Sequence, residues 1–193
     1  MNTNKQQQSE NIGTQIQPQD IFSSALISGK RSPELDENQD LYGWLIGTWD
    51  VSAIEYLDDQ EPLRVEGEWH FTRILEGRAI QDVYIVPKRS LRTPFSSKTR
   101  NRYGTTIRYY DETIPAWRLN WFNPVSGASD QLIAKKLGND IVQEGIDAVG
   151  NLMKWSFVDI LPNSFHWKGE RSFDGGKTYK LEAEFFGERN ERA

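Results

Sequence analysis

From Thr48 to the C-terminus, apolar and polar residues alternate almost one for one, the spacing of a half-buried strand. Val65, Trp69 and Phe71 share one face of such a stretch, and Trp117, Leu119 and Trp121 share another. Met153, Trp155 and Phe157 repeat the pattern, as do Tyr179, Leu181, Ala183 and Phe185, while Glu66, Glu68, Lys180, Glu182 and Glu184 fall on the faces expected to meet water. The alternation predicts strands near 48–57, 62–75, 78–87, 102–111, 116–123, 130–137, 140–147, 152–161, 164–173 and 178–187. Turn-forming residues separate most of them, among them Glu76-Gly77, Gly138-Asn139, Pro162-Asn163 and Asp174-Gly175-Gly176. Short strands joined by hairpins, with no helix between them, favour an all-β, about ten-stranded antiparallel up-and-down barrel, because closure removes exposed edges.

Ahead of the strands the pattern changes. Ser32-Pro33-Glu34 reads as a helix start, with a hydroxyl N-cap, proline in the first turn and an acid behind it. Leu35, Leu41, Trp44 and Leu45 fall mainly on one face, so a short N-terminal helix ending near Gly47 is expected to cap one barrel opening. Residues 1–31 are rich in Gln, Asn and Ser and are expected to form a flexible polar arm, or alternatively one that docks on a barrel or a second subunit, leaving 32–193 as the barrel domain.

Composition narrows the function. With no cysteine there is no disulfide framework and no thiolate ligand or nucleophile, which suits a reducing, cytoplasmic setting. A net charge of −5 argues against nucleic acid as a partner, and no apolar run reaches the length of a membrane span. Phosphate-cradling loops, dinucleotide fingerprints, nucleophile elbows and zinc-spaced histidines are all missing, so no cofactor and no metal is expected. His70 and His166 each neighbour a tryptophan on a strand and are expected to point outward, with His166 the better candidate for a base or haem ligand.

Gly47-Thr48-Trp49, at the start of the first long strand, resembles the Gly-x-Trp signature of the calycins, the superfamily of lipocalins and fatty-acid-binding proteins. Leu75-Glu76-Gly77-Arg78-Ala79-Ile80 and the stretch from Ser172 to Tyr179 are similar to the two hairpins of bacterial lipocalin-like domains of unknown function. Together these motifs frame residues 44–187. The resemblance implies a barrel with a cavity and a tryptophan packed at the closed end beneath an arginine from the last strand. Arg189 is the first candidate for that arginine and Arg171 the second. It implies no reaction, since the fold hosts carriers, lyases, haem proteins and cyclases. Asp50 to Tyr56 depart from the glycine-rich run that follows Gly-x-Trp in nitrobindin-like haem barrels, which argues against haem.

Candidate chemistry comes from polar residues set among aromatic strands. Asp82 pairs in phase with Tyr84, Arg108 with Tyr110, and Trp121 with Asn123; Glu144 lies between Val142 and Ile146, and Arg171 follows Phe165 and Trp167. Directed inward, Arg108 would anchor an acidic group of a mostly apolar small-molecule ligand, with Trp69, Tyr110, Trp121, Asn123, Trp155, Trp167 and Arg171 as further contacts. Asp82, Glu144 and Tyr84 would instead supply acid, base and oxyanion donor to a cofactor-independent isomerase or cyclase. A third reading is a non-enzymatic interaction module whose barrel is filled by its own side chains. Independently of these readings, the basic loop 88–102 is either a solvated connection or a cationic flap at the mouth that attracts an anionic ligand, tipped by Phe95. Ile54, Tyr56 and Phe186 form an outward apolar set, either ordinary sheet surface or the interface of a homo-oligomer.

Overall fold

The computed structural model describes residues 17–56, 60–93 and 102–191. Phe95 and the tip of the basic loop therefore lie outside the described residues. Ten strands follow one another round a closed antiparallel barrel: β2 (Gly47–Glu55), β3 (Leu63–Ile74), β4 (Ala79–Val86), β5 (Arg102–Asp111), β6 (Ala116–Asn123), β7 (Ala128–Leu137), β8 (Asp140–Ile146), β9 (Leu152–Leu161), β10 (Ser164–Ser172) and β11 (Lys180–Arg189). Each pairs with the next, and β11 closes the ring on β2 through Arg189↔Trp49 to Ala183↔Glu55. An extra two-residue strand, β1 (Ile27–Ser28), pairs with Ile74 and Arg73 of β3 beyond the start of β2. One short helix, α1 (Pro18–Leu26), precedes it and buries none of its side chains. Among the described residues no helix is long and apolar enough to cross a membrane.

The helix expected over 32–47 is replaced by two 3-10 turns, Glu37–Gln39 and Gly43–Leu45. The physical reason lies in where this segment's carbonyls go. Those of Gln39, Leu41, Trp44, Leu45 and Ile46 accept from the side chains of Trp117, Trp44, Arg189, Trp49 and Arg189 in turn. A continuous helix would take those carbonyls for its own ladder. The irregular path instead drops Leu35, Tyr42 and Leu45 into the barrel end, all buried.

That end is sealed around Trp49, which is fully buried. As the calycin resemblance implies, the Arg189 guanidinium lies 4.2 Å over the Trp49 ring and donates to Trp44 O, Ile46 O and Pro162 O. Gly47 sits at φ +125 with a guanidinium nitrogen of Arg189 beside it, a backbone conformation that disfavours any side chain. Edge-on contacts of Trp44, Trp49, Phe157 and Phe165 fill the rest of the seal.

Candidate functional site

Among the described residues the opposite end is open. Between the 123–128, 146–152 and 172–180 turns, a cavity of about 370 Å³ runs into the barrel. Its walls are aromatic. Trp167 stacks on Phe185 at 4.4 Å, Tyr84 stacks on the same Phe185 at 4.9 Å, and Trp155 bridges Trp167 and Trp121. Gly104 makes room for this arrangement, since a Cβ there would run into the Trp121 ring.

Trp69, Arg108, Trp121, Asn123, Trp155, Trp167 and Arg171 all line this cavity, brought there by the inward phase of β3, β5, β6, β9 and β10. Tyr110 does not. It has the inward phase of Arg108 but lies two residues nearer the sealed end, where it packs against Trp117 at 6.4 Å. Tyr84 lines the cavity, and Asp82 lies fully buried on the same strand face. Glu144 requires a correction: it is exposed on the outer face, cross-strand from Ile133 and Lys154. Its strand turns Ile141 and the polar Gln143 inward, which leaves Val142 and Ile146 as the outer set.

Among the lining residues that escaped the sequence reading are three polar strand residues, Arg102, Thr106 and Glu182. Arg102 and Thr106 stand in the inward phase of β5, and counting back from Arg108 by twos would have found both. Glu182, expected to face water, lines the cavity because a register shift after Gly169 reverses the alternation locally. That bulge leaves no signal in the sequence.

The site is charged but internally paired. Arg108, 3% exposed, donates through Nη1 to Asp82 Oδ2, while Asp82 Oδ1 accepts from the Thr106 N–H at 3.2 Å. The Arg108 guanidinium also lies 5.2 Å from the Tyr42 ring and 5.5 Å from the Phe71 ring. Arg102 pairs with Glu55 at 2.9 Å. Arg171 pairs with Glu182 at 3.0 Å and with Asp147. Burial drives the Tyr84 phenol far above its usual range despite the nearby Arg102 charge, so it stays a neutral donor. Burial likewise raises Asp130, cross-strand from Trp121, against the pull of Arg171.

Three buried donors of the lining find no acceptor among the described residues: Trp69 Nε1, Tyr84 Oη and Arg108 Nε. A fourth, Gln143 Nε2, belongs to the side chain whose oxygen accepts from Tyr42 at 3.3 Å. Leaving such a group unpaired costs about 1–3 kcal/mol each, so a ligand that brings acceptors recovers that cost. Both histidines lie on the outer surface. His70 contacts Thr48 and Glu68, and His166 stacks on Phe186 at 4.4 Å with Glu184 2.8 Å away. Among the described residues no cluster of His, Asp and Glu has the makings of a metal site.

No protein-family model matches the chain, and no curated protein sequence does. Solved structures do. Rv2717c from M. tuberculosis superposes with a TM-score of 0.56 over 83% of this chain and 99% of its own, at 12% identity. The S-type phycobiliprotein lyase CPES from Guillardia theta does so with a TM-score of 0.53 over 81% of this chain and 94% of its own, at 8% identity. At these identities the likeness is one of fold.

Proposed function

We propose that the barrel binds a small, mostly apolar molecule, flat enough to lie among Trp121, Trp155 and Trp167, whose polar group accepts hydrogen bonds at the inner end. The observation that carries this reading is the set of unpaired buried donors, Trp69 Nε1, Tyr84 Oη and Arg108 Nε, in the wall of an aromatic cavity. The acidic group suggested by the sequence is one member of the class of acceptors these donors would take. The cavity volume of about 370 Å³ lies within the range of small-molecule sites. It also argues against the interaction module, which needs a filled interior. The isomerase or cyclase reading would rest on Asp82 and Tyr84, but both Asp82 oxygens are already engaged by Thr106 and Arg108. Binding is therefore favoured over turnover.

The test is a thermal-shift and tryptophan-fluorescence titration across aromatic ketones, aromatic acids and fatty acids. A ligand present at 100 times its Kd should stabilise the fold by about 2.7 kcal/mol. Trp121→Ala should weaken whatever binds. A folded protein that shows neither quenching nor a shift with any of them would rule this reading out.

A further inference from the structure

Granted that binding reading, we propose that the group received at the inner end of the cavity is an uncharged acceptor, the carbonyl of a ketone, amide or ester, and not a carboxylate or phosphate. Charge balance carries the inference. Arg108 is the buried cation of the lining, and its charge is already matched by Asp82, which is 0% exposed. A second anion beside Arg108 would set two negative charges against one positive where little water screens them. What remains on offer is directional hydrogen bonding. Trp69 and Tyr84 face each other across β3 and β4 with rings 5.1 Å apart, and Phe71 bridges from Trp69 to the Arg108 guanidinium. Two of these three donors are neutral, and the third is a guanidinium nitrogen whose charge is compensated.

The mouth adds to the argument. Arg102 is matched by Glu55, and Arg171 faces both Asp147 and Glu182. Asp130, half-buried on the inward face of β7, makes no hydrogen bond or ion pair among the described residues and feels the Arg171 charge only at a distance, so it adds a further carboxylate to those facing Arg102 and Arg171. Among the described lining residues an anion therefore finds each guanidinium already matched by a carboxylate. A neutral carbonyl needs no unmatched charge.

The experiment compares two fluorescent probes of the same ring size on the full chain near neutral pH. One is the ketone 6-propionyl-2-(dimethylamino)naphthalene; the other is 6-(dimethylamino)naphthalene-2-carboxylate. The ketone should bind at least about tenfold more tightly. Tyr84→Phe should weaken the ketone several-fold and shift its emission to the blue as the carbonyl loses a donor. Asp82→Asn, which frees the Arg108 charge, should narrow the gap in favour of the carboxylate. Equal or tighter binding of the carboxylate by the unmodified chain overturns the proposal and leaves the binding reading standing. If neither probe binds, both fall. Ketone binding that is indifferent to Tyr84→Phe also overturns the proposal.

Discussion

The two ends of this barrel are built from the same residue types and treat their polar atoms in opposite ways. At the sealed end the indole N–H groups of Trp44, Trp49 and Trp117 donate to Leu41 O, Leu45 O and Gln39 O at 3.1, 2.7 and 2.8 Å. Each side-chain nitrogen of Arg189 there donates to a main-chain carbonyl. In the wall of the cavity that runs in from the other end, Trp69, Tyr84 and Arg108 bury equivalent donors and leave them unpaired among the described residues. Aromatic content alone does not separate a plug from a receptor. The difference is whether the chain supplies the acceptors itself. Where it does, the aromatic cluster holds the fold together; where it does not, the cluster is set up for an outside molecule.

The sharpest way to break that contrast is to truncate one tryptophan at each end. Trp49→Ala should cost about 5 kcal/mol, because a fully buried indole is lost together with the surface that Arg189 covers. Trp155→Ala should cost far less, about 1 kcal/mol, since that ring is only half-buried and already borders empty space. Denaturant unfolding of both variants decides the matter. Similar losses would mean the open end is as structural as the plug.

A second, smaller effect probes the boundary between the ends. Asp82→Ala strands the Arg108 charge in the interior and should destabilise by about 3 kcal/mol. Replacing both partners, Asp82→Leu with Arg108→Met, should recover most of that loss in the same unfolding assay, because no unpaired charge remains. Failure of the double variant to recover would show that the pair does more for the fold than neutralise itself.

Much of this arrangement was legible from alternation and turn residues. The expected strands 102–111, 116–123 and 152–161 coincide with β5, β6 and β9, since Asp111-Glu112 and the other turn signals end them unambiguously. Trp49 and Arg189 came from a three-residue motif whose glycine has the backbone conformation and close guanidinium described above. What escaped was non-local. The 32–46 segment is shaped by Trp49, Trp117 and Arg189 reaching in from distant strands, which no local helix signal can foresee. Glu182 turned inward because it is itself the extra residue of a bulge, skipped between Gly169↔Ala183 and Glu170↔Leu181. Glu144 was misplaced because a polar Gln143 takes the inward position between two apolar neighbours. Comparing its cross-strand partners, Ala134 and Trp155, would have fixed the face.

The smallest predicted effect separates, by pH, the basic-loop contact from the sealed end. On the outside of β3, Glu68 is held down to about 2 chiefly by the Arg89 guanidinium, against the desolvation of its position and helped by the Arg89 N–H and His70. This contact, with Lys88 N donating to Glu66 O, ties the start of the basic loop to the outside of β3. A carboxylate lowered in the folded state stabilises fully above its unfolded value, 4.5 here, and that contribution is lost as pH falls toward about 2. Arg89 is largely in solvent, so the contribution is about 1 kcal/mol. The contacts of Arg189 with carbonyls at the sealed end carry no titrating acceptor. Acidification should therefore release amide protection in residues 88–92 before it does so in β2 around Trp49, as read by hydrogen exchange. Arg89→Ala should remove that early step and leave the sealed end unchanged; simultaneous loss at both ends would show that the barrel opens as one unit.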